Sequence, residues 1–329
     1  MASVKITIDS IPKLDGKVAI ITGEHSENTL AIPTEPRAAE AYDTLLTGAA
    51  SGIGLAAAKI MAAKGAAVHI LDIKTGAESD LAREQGFIQY HRCDIASWTD
   101  LRTAFDTIGQ VDIAIANAGV SEEQHTSYFD DTWDNEGRLA QPSWSVIDVN
   151  YRAVLDFVKL AWSHMRRRGV EGSIVITTSV SSYMAEQALP VYSSGKAALI
   201  ALVRGLRSQI IRDNITLNAV APSGTITPSM APEFYKPMVE NGVVLSMSES
   251  VGLALVYSAT ARQSRAVEVY GKDQETDLWR GGRWHGRCIL TLGDTFTEIE
   301  EPLADLKPFW FGRENVQLTR IQQAATDFR

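Results

Sequence analysis

Short, wholly apolar runs alternate with amphipathic helical stretches along most of this chain, and that alternation leaves few folds open. Val18-Ala19-Ile20-Ile21 ends at Thr22-Gly23, and the run 66–71 ends at Asp72. Further strands are expected at 87–91, at 111–116 before Asn117-Ala118-Gly119, at 173–177, at 216–220 before Pro222, and last at 287–292. Helical patterns lie between them at 55–64 (stopped by Gly65), 76–85, 98–108, 143–167 and 192–209. Strands covered on both faces are apolar throughout, and each intervening helix carries the chain back to start the next parallel strand. The prediction is an α/β fold, a doubly wound parallel sheet with helices on both faces. The 329 residues are read as one domain, with 296–329 as a C-terminal extension that carries no assignable motif.

Composition narrows the function classes. A chain that is 45% hydrophobic and 22% charged can bury a core and is not disordered. A net charge of −9 argues against non-specific nucleic-acid binding. Arg166-Arg167-Arg168 reads as cations at a helix C-terminus, where the dipole favours them. Two cysteines, Cys93 and Cys288, cannot build a disulfide framework. The first 17 residues lack the apolar core of a signal peptide, and no apolar run reaches the ~18 residues of a membrane helix. Six scattered histidines lack ligand spacing, so no metal is inferred. The expectation is a soluble, cytoplasmic protein.

Gly48-x-x-x-Gly52-x-Gly54 opens a helix, and such a turn cradles a pyrophosphate. Glycines let the backbone approach the phosphates, and the helix N-terminus offers unpaired N–H donors and a positive dipole end. Asp72, 18 residues past Gly54 at the next strand end, can bind adenosine ribose hydroxyls and would repel a 2′-phosphate. Neither Ser51 nor Ile73 supplies a cation for that phosphate, so NAD is preferred over NADP. The fold is therefore read as Rossmann-type. Tyr192 and Lys196 stand four apart on one helix face, where an ammonium, beside a cationic nicotinamide, would lower the phenol pKa. Ser179, just past a strand end, could hold a substrate oxygen. Asn150, a mid-helix amide, needs a partner such as a structural water.

Taken in order, several motifs resemble the short-chain dehydrogenase/reductase family over residues 17–227 and more loosely to 292. They are Thr47-Gly48-Ala49-Ala50-Ser51-Gly52-Ile53-Gly54, Asp94, Asn117-Ala118-Gly119, Asn150, Ser179, Tyr192-Ser193-Ser194-Gly195-Lys196, and Pro222 with Thr225 and Thr227. The pattern is also similar to fungal relatives of 15-hydroxyprostaglandin dehydrogenase. The resemblance implies a hydride transfer between NAD and a secondary alcohol or ketone. Tyr192 would be general base or acid, Lys196 would bind the nicotinamide ribose, Ser179 would orient the substrate oxygen, and Asn150 would hold a proton-relay water. Gly48, Ser51, Gly52, Ile53 and Gly54 would form the cofactor loop, with Asp72 on the ribose and Asp94 and Ile95 against adenine. Asn117, Ala118 and Gly119 would line the cleft, Pro222 and Thr225 would position the nicotinamide, and Thr227 would take its carboxamide or a phosphate. It also implies a homodimer or homotetramer, with the helices at 143–167 and 192–209 as the dimer contact.

The chain departs from this family pattern at one place. The strand that should run into the glycine loop already ends at Thr22-Gly23, yet the loop resumes at a second Thr-Gly, Thr47-Gly48. Removing residues 24–48 joins VAIITG to AASGIG and restores an uninterrupted motif. The 25 inserted residues are polar and aperiodic. They read as a retained intron, since Gly23-Glu24 can encode a donor site and Thr47-Gly48 an acceptor; a surface insertion is the alternative. Either Val18 to Gly23 keeps its place as the strand, or Thr44-Leu45-Leu46-Thr47 displaces it. Tyr128, Phe129, Trp133 and Trp144 mark either a lid or an elaborated loop. Met230, Phe234, Tyr235 and Met238 fall where the family places its substrate loop and suggest a hydrophobic substrate. Two other readings stand beside the NAD enzyme: a silent NAD-binding scaffold disabled by the insertion, and an NADPH-dependent ketoreductase, which Asp72 opposes.

Overall fold

A computed structural model of the protein describes residues 2–23, 52–73, 87–122, 128–227 and 230–329, the side chains of Ala2 and Phe234 excepted. Nine strands form one sheet among these residues. They are β1 (Ala2–Ser3), β2 (Val18–Thr22), β3 (Ala67–Asp72), β4 (Ile88–Arg92), β5 (Ile113–Ala116), β6 (Ser173–Thr177), β7 (Thr216–Pro222), β8 (Cys288–Leu292) and β9 (Thr295–Glu298). The spatial order is β1-β9-β8-β7-β6-β5-β2-β3-β4. Pairing is parallel from β8 through to β4; β9 runs antiparallel to β8, and β1 antiparallel to β9. The chain order reverses between β2 and β5, the switch point at which open sheets of this Rossmann type bind ligands beyond their carboxyl ends.

The helices are α1 (Gly52–Ala63), α2 (Trp98–Ile108), α3 (Ala153–Arg168), α4 (Pro190–Ile210), α5 (Pro232–Glu240), α6 (Ser248–Thr260), α7 (Glu300–Asp305) and α8 (Arg313–Ala325). Side chains alternate along each strand, so one sheet feeds two cores. Ile20, Ala114, Ile174 and Leu217 pack with Leu101 and Phe105 of α2, Phe157 of α3 and Leu199 of α4. Ile21, Ile70, Ile115 and Val175 pack with Met61 of α1 and Val251 and Leu255 of α6. Each such fully buried aliphatic side chain contributes about 1.5–3 kcal/mol.

Val18–Thr22 holds its place in the sheet, paired with both β3 and β5, which decides between the two strand registers. The expected helix at 76–85 and the interruption at 24–48, with Gly48 and Ser51, lie outside the described residues. The expected helix at 143–167 is not uniform. A helical turn at Ser145–Ile147 opens into a π-helical turn, Asp148–Arg152, before α3 begins. Its Arg166, Arg167 and Arg168 occupy the last turn of α3, ahead of Gly169 at φ 62°. The run at 287–292 is not the last strand: β9 and β1 extend the sheet beyond it, so its far edge is antiparallel.

The aromatic stretch before α3 forms an exposed excursion. Trp133 and Leu139 make an isolated antiparallel bridge, while Tyr128 stacks edge-on against Phe129 and Trp144. Met230 is buried, and Tyr235 and Met238 on α5 are half-buried. The C-terminal residues are held to α4 by Glu300. Its carboxylate accepts two hydrogen bonds from Arg204 (2.7 and 2.8 Å), one from Arg207 (3.0 Å) and one from the Tyr183 hydroxyl (2.8 Å).

Candidate active site

The carboxyl ends of β5 and β6 and the start of α4 bring the sequence-predicted chemistry together. Thr22 ends β2, and its Oγ1 accepts the backbone N–H groups of Asn117 (3.0 Å) and Ala118 (3.2 Å). That bond turns the chain after β5 back over the sheet. Asn150 then clasps the same turn. Its Oδ1 accepts from the Val120 N–H (2.8 Å) and its Nδ2 donates to the Val120 carbonyl (2.7 Å). A π-helical turn displaces a side chain from the regular α-helical spacing, and such turns recur at functional sites. The partner that a buried amide requires is thus backbone, which leaves the second Nδ2 N–H, the second Oδ1 lone pair and the main chain of this residue for a relay water.

Ser179 follows β6 by two residues and caps the turn Val180–Ser182, its hydroxyl accepting from the Ser181 N–H (3.2 Å). Tyr192 is buried in the first turn of α4. Burial pushes its phenol pKa above the ordinary value of 10, and the nearby Ser179 hydroxyl offsets this only in part. The expected lowering of this pKa by the Lys196 ammonium beside a cationic nicotinamide belongs to the cofactor-bound site. Lys196 is 1% exposed, and its Nζ lies 5.6 Å from the Tyr192 ring centroid and donates to the Thr177 carbonyl (3.0 Å). Burial draws its pKa down to about 8. Four positions of helix spacing bring the pair together as expected; desolvation, which spacing does not reveal, sets the direction of both shifts.

The cofactor residues surround this centre. Gly52 begins α1 at φ +51°, a conformation that favours glycine, and Gly52, Ile53 and Gly54 are all buried there. A methyl group on Gly119 would stand 3.1 Å from Asn150 Oδ1 and 3.3 Å from Lys196 Nζ, so a side chain would crowd the cleft floor. Asn117 accepts from Thr177 Oγ1 (3.0 Å), yet its buried Nδ2 finds no acceptor among the described residues. An orphaned buried donor beside a helix N-terminus fits a nicotinamide dinucleotide. Asp72 is buried at the carboxyl end of β3. Asp94 accepts from the Ala96 N–H (2.9 Å), and Ile95 packs into the core beside it. Pro222, Thr225 and Thr227 are buried where β7 leaves the sheet, with Thr225 Oγ1 donating to the Ser223 carbonyl (2.8 Å).

One site residue is missed by sequence reasoning. Glu122 is 6% exposed, and its Oε2 accepts the Tyr192 N–H at 2.9 Å. It stands in the polar stretch Ser121-Glu122-Glu123-Gln124, where no periodicity singles it out; its position three past Gly119 is the one available signal.

A doubly wound sheet with a Ser-Tyr-Lys centre at its switch point defines a class of nucleotide-dependent oxidoreductases. The short chain dehydrogenase family model matches residues 43–237, beginning within the interruption rather than at β2. The chain is 49% identical to the short-chain dehydrogenase/reductase ATR7 of Stachybotrys chlorohalonatus, over 100% of this chain and 95% of that one. It is 46% identical to the short-chain dehydrogenase/reductase prx4 of Penicillium roqueforti, over 100% of this chain and 90% of that one. A solved short chain dehydrogenase/reductase family protein superposes with a TM-score of 0.57 at 25% identity, covering 75% of this chain and 91% of its own. This chain belongs to the short-chain dehydrogenase/reductase family of oxidoreductases. Members use nicotinamide cofactors and act on small molecules. No helix among the described residues is long and apolar enough to cross a membrane.

Proposed function

We propose that this protein is an NAD(H)-dependent oxidoreductase that interconverts a hydrophobic secondary alcohol and its ketone. The reading rests above all on one observation: Tyr192 and Lys196 are buried together at the start of α4, with Lys196 Nζ 5.6 Å from the Tyr192 ring and the Ser179 hydroxyl close enough to lower the phenol pKa. Ser179 holds the substrate oxygen by donating a hydrogen bond to it. Tyr192 takes the carbinol proton during oxidation and returns it during reduction. Lys196 stabilises the phenolate so formed and, with two N–H groups besides the one given to Thr177, binds the nicotinamide ribose. Asn150 fixes the cleft wall. The bound dinucleotide supplies the hydride acceptor or donor.

Gly48, Ser51, Gly52, Ile53 and Gly54 hold the pyrophosphate, while Asp94 and Ile95 border the adenine and Asn117, Ala118 and Gly119 line the cleft. Pro222, Thr225 and Thr227 position the nicotinamide. Asp72 takes the ribose hydroxyls and disfavours NADP, because a 2′-phosphate would meet a buried carboxylate. The apolar Met230, Tyr235 and Met238 supply a hydrophobic flank to the substrate site. The reading includes one catalytic domain over 1–329, an interruption at 24–48, a C-terminal extension at 296–329, a cytoplasmic location, and a homodimer or homotetramer built on α3 and α4.

The test is Tyr192→Phe. NADH formation from a panel of secondary alcohols should fall by at least ~10²-fold, the scale of general base catalysis, with NAD affinity retained. Unaltered turnover would refute the assignment of Tyr192. NADP bound as tightly as NAD would refute the cofactor assignment.

A further inference from the structure

The turn after β5 carries a carboxylate that the proposed reaction does not use. Glu122 Oε2 accepts the Tyr192 N–H (2.9 Å) in the first turn of α4, a turn that opens with Pro190 and so offers few amide donors. Glu122 Oε1 is buried too, and no donor reaches it among the described residues. A carboxylate oxygen withdrawn from water without a donor is destabilising, and proteins keep such groups where a ligand completes them. The bond from the Tyr192 backbone ties this carboxylate to the residue whose side chain is proposed to carry the proton. Lys196 Nζ does not neutralise it, being bonded instead to the Thr177 carbonyl at 3.0 Å.

We propose that Glu122 Oε1 is a substrate-recognition acceptor. It takes a hydrogen bond from a second donor on the substrate, so the site selects a carbinol bearing a nearby hydroxyl or protonated amine over a simple alcohol. This inference rests on the oxidoreductase reading and sharpens it: the substrate is hydrophobic in its body and carries a polar handle close to the reacting carbon. A charge-assisted bond in a desolvated site discriminates strongly, because the analogue lacking the donor leaves the acceptor unpaired.

The probes are 1-phenylethanol, 1-phenyl-1,2-ethanediol, 1-phenyl-1,3-propanediol and 2-amino-1-phenylethanol, oxidised with NAD by the full chain and by Glu122→Gln. Glutamine can still accept the Tyr192 N–H but places an amide donor where Oε1 stood, so a capping role survives and an accepting role is lost. The wild type should favour at least one donor-bearing probe over 1-phenylethanol by about tenfold or more in kcat/KM. Glu122→Gln should erase that preference. A diol preference identifies a hydroxyl partner, and an amino alcohol preference an ammonium. A wild-type ratio near one for every probe, or a ratio that Glu122→Gln leaves intact, overturns the proposal while 1-phenylethanol turnover upholds the oxidoreductase reading. NAD binding with no turnover of any probe overturns both.

Discussion

Lys196→Met offers the sharpest examination of the proposed chemistry, because two opposing effects of burial meet at this residue. Its Nζ lies 5.6 Å from the Tyr192 ring centroid. With an effective dielectric constant of about 20, a unit charge at that separation interacts with a phenolate by about 3 kcal/mol. That corresponds to a change of roughly a hundredfold in the phenolate-to-phenol ratio. The help is available only while the amine is protonated, and burial draws its pKa down to about 8. At pH 7 the ammonium form leads by roughly tenfold; at pH 9 it is the minor form by the same factor. The phenol is pushed up from 10 by burial, so the two groups titrate as a coupled pair. In the wild type, kcat/KM for alcohol oxidation should rise with pH and then flatten above about pH 8, as phenolate is gained at the expense of the ammonium that stabilises it. The Met variant should be slower by about a hundredfold at pH 7 and should keep climbing through pH 8 without the break. The assay is NADH absorbance at saturating NAD, with NAD affinity titrated separately at each pH, since Lys196 is also assigned to the ribose. A Met variant whose profile keeps the wild-type shape and is merely scaled down would show that the lysine acts through binding alone.

Three further outcomes can be measured. Glu300→Ala removes one of the two carboxylates bonded to Arg207, Glu268 being the other, in a site 8% exposed, and a stability loss of about 1.5–3 kcal/mol is expected in urea denaturation; a loss below ~1 kcal/mol would refute the structural weight given to this cluster. Burial alone would raise the Glu300 pKa, but Arg204, Arg207 and Tyr183 together outweigh it and hold the carboxyl below 4.5, so its stabilisation is present above that pH and is lost as pH falls through the folded value. His285 is held neutral, its Nδ1 accepting from the Leu217 N–H (3.1 Å) and its Nε2 donating to the Arg207 carbonyl (2.7 Å), and burial lowers its pKa to about 4. Stability should therefore be full above pH 6.5 and fall by up to ~3 kcal/mol between 6.5 and 4, a slope that His285→Gln should remove from chemical denaturation measured across that range. Removing residues 24–48 should tighten NAD binding, because it rejoins β2 directly to the glycine turn; equal affinities in side-by-side titrations would contradict this.

Local signals made some elements legible end to end. The expected helix 98–108 coincides with α2, since Ser97 caps it by accepting from the Asp100 N–H and Gly109 stops it at φ 79°. The strand 173–177 coincides with β6, an apolar run flanked by a glycine and a polar turn. β1 and β9 were illegible because segments of two to four residues display no period; β1 takes its strand identity from β9, almost the whole chain away, and β9 from the adjacent β8. Asn150 shows the same limit in another form. Its sequence marks a polar residue on an apolar helix, while the π-turn and the Val120 backbone that satisfy it are tertiary facts. Spacing brings Tyr192 and Lys196 together, whereas the burial that shifts both groups is a tertiary property that spacing does not carry.

The division between legible and illegible residues follows the division of labour in the site. Residues that any substrate of the reaction would need stand on rigid, periodic elements, or within a residue or two of their ends: Thr177 in β6, Ser179 just beyond it, and Tyr192 and Lys196 in the first turns of α4. Residues suited to selecting one substrate lie on connections, where each is held by individual polar bonds that no pattern announces. Glu122 is tied by the Tyr192 N–H, and Tyr183, four residues after Ser179, is tied to the C-terminal Glu300 at 2.8 Å. A hydrogen bond to a charged group is worth about 1.5–3 kcal/mol, comparable to a whole order of magnitude or two in selectivity. The C-terminal residues thereby join the turn that carries Ser179, through Tyr183 and through Arg204 and Arg207 of α4. On the role proposed for Ser179, a substitution at Glu300 therefore acts on the turn beside the substrate oxygen, through Tyr183, rather than on the sheet or on the Tyr192–Lys196 pair.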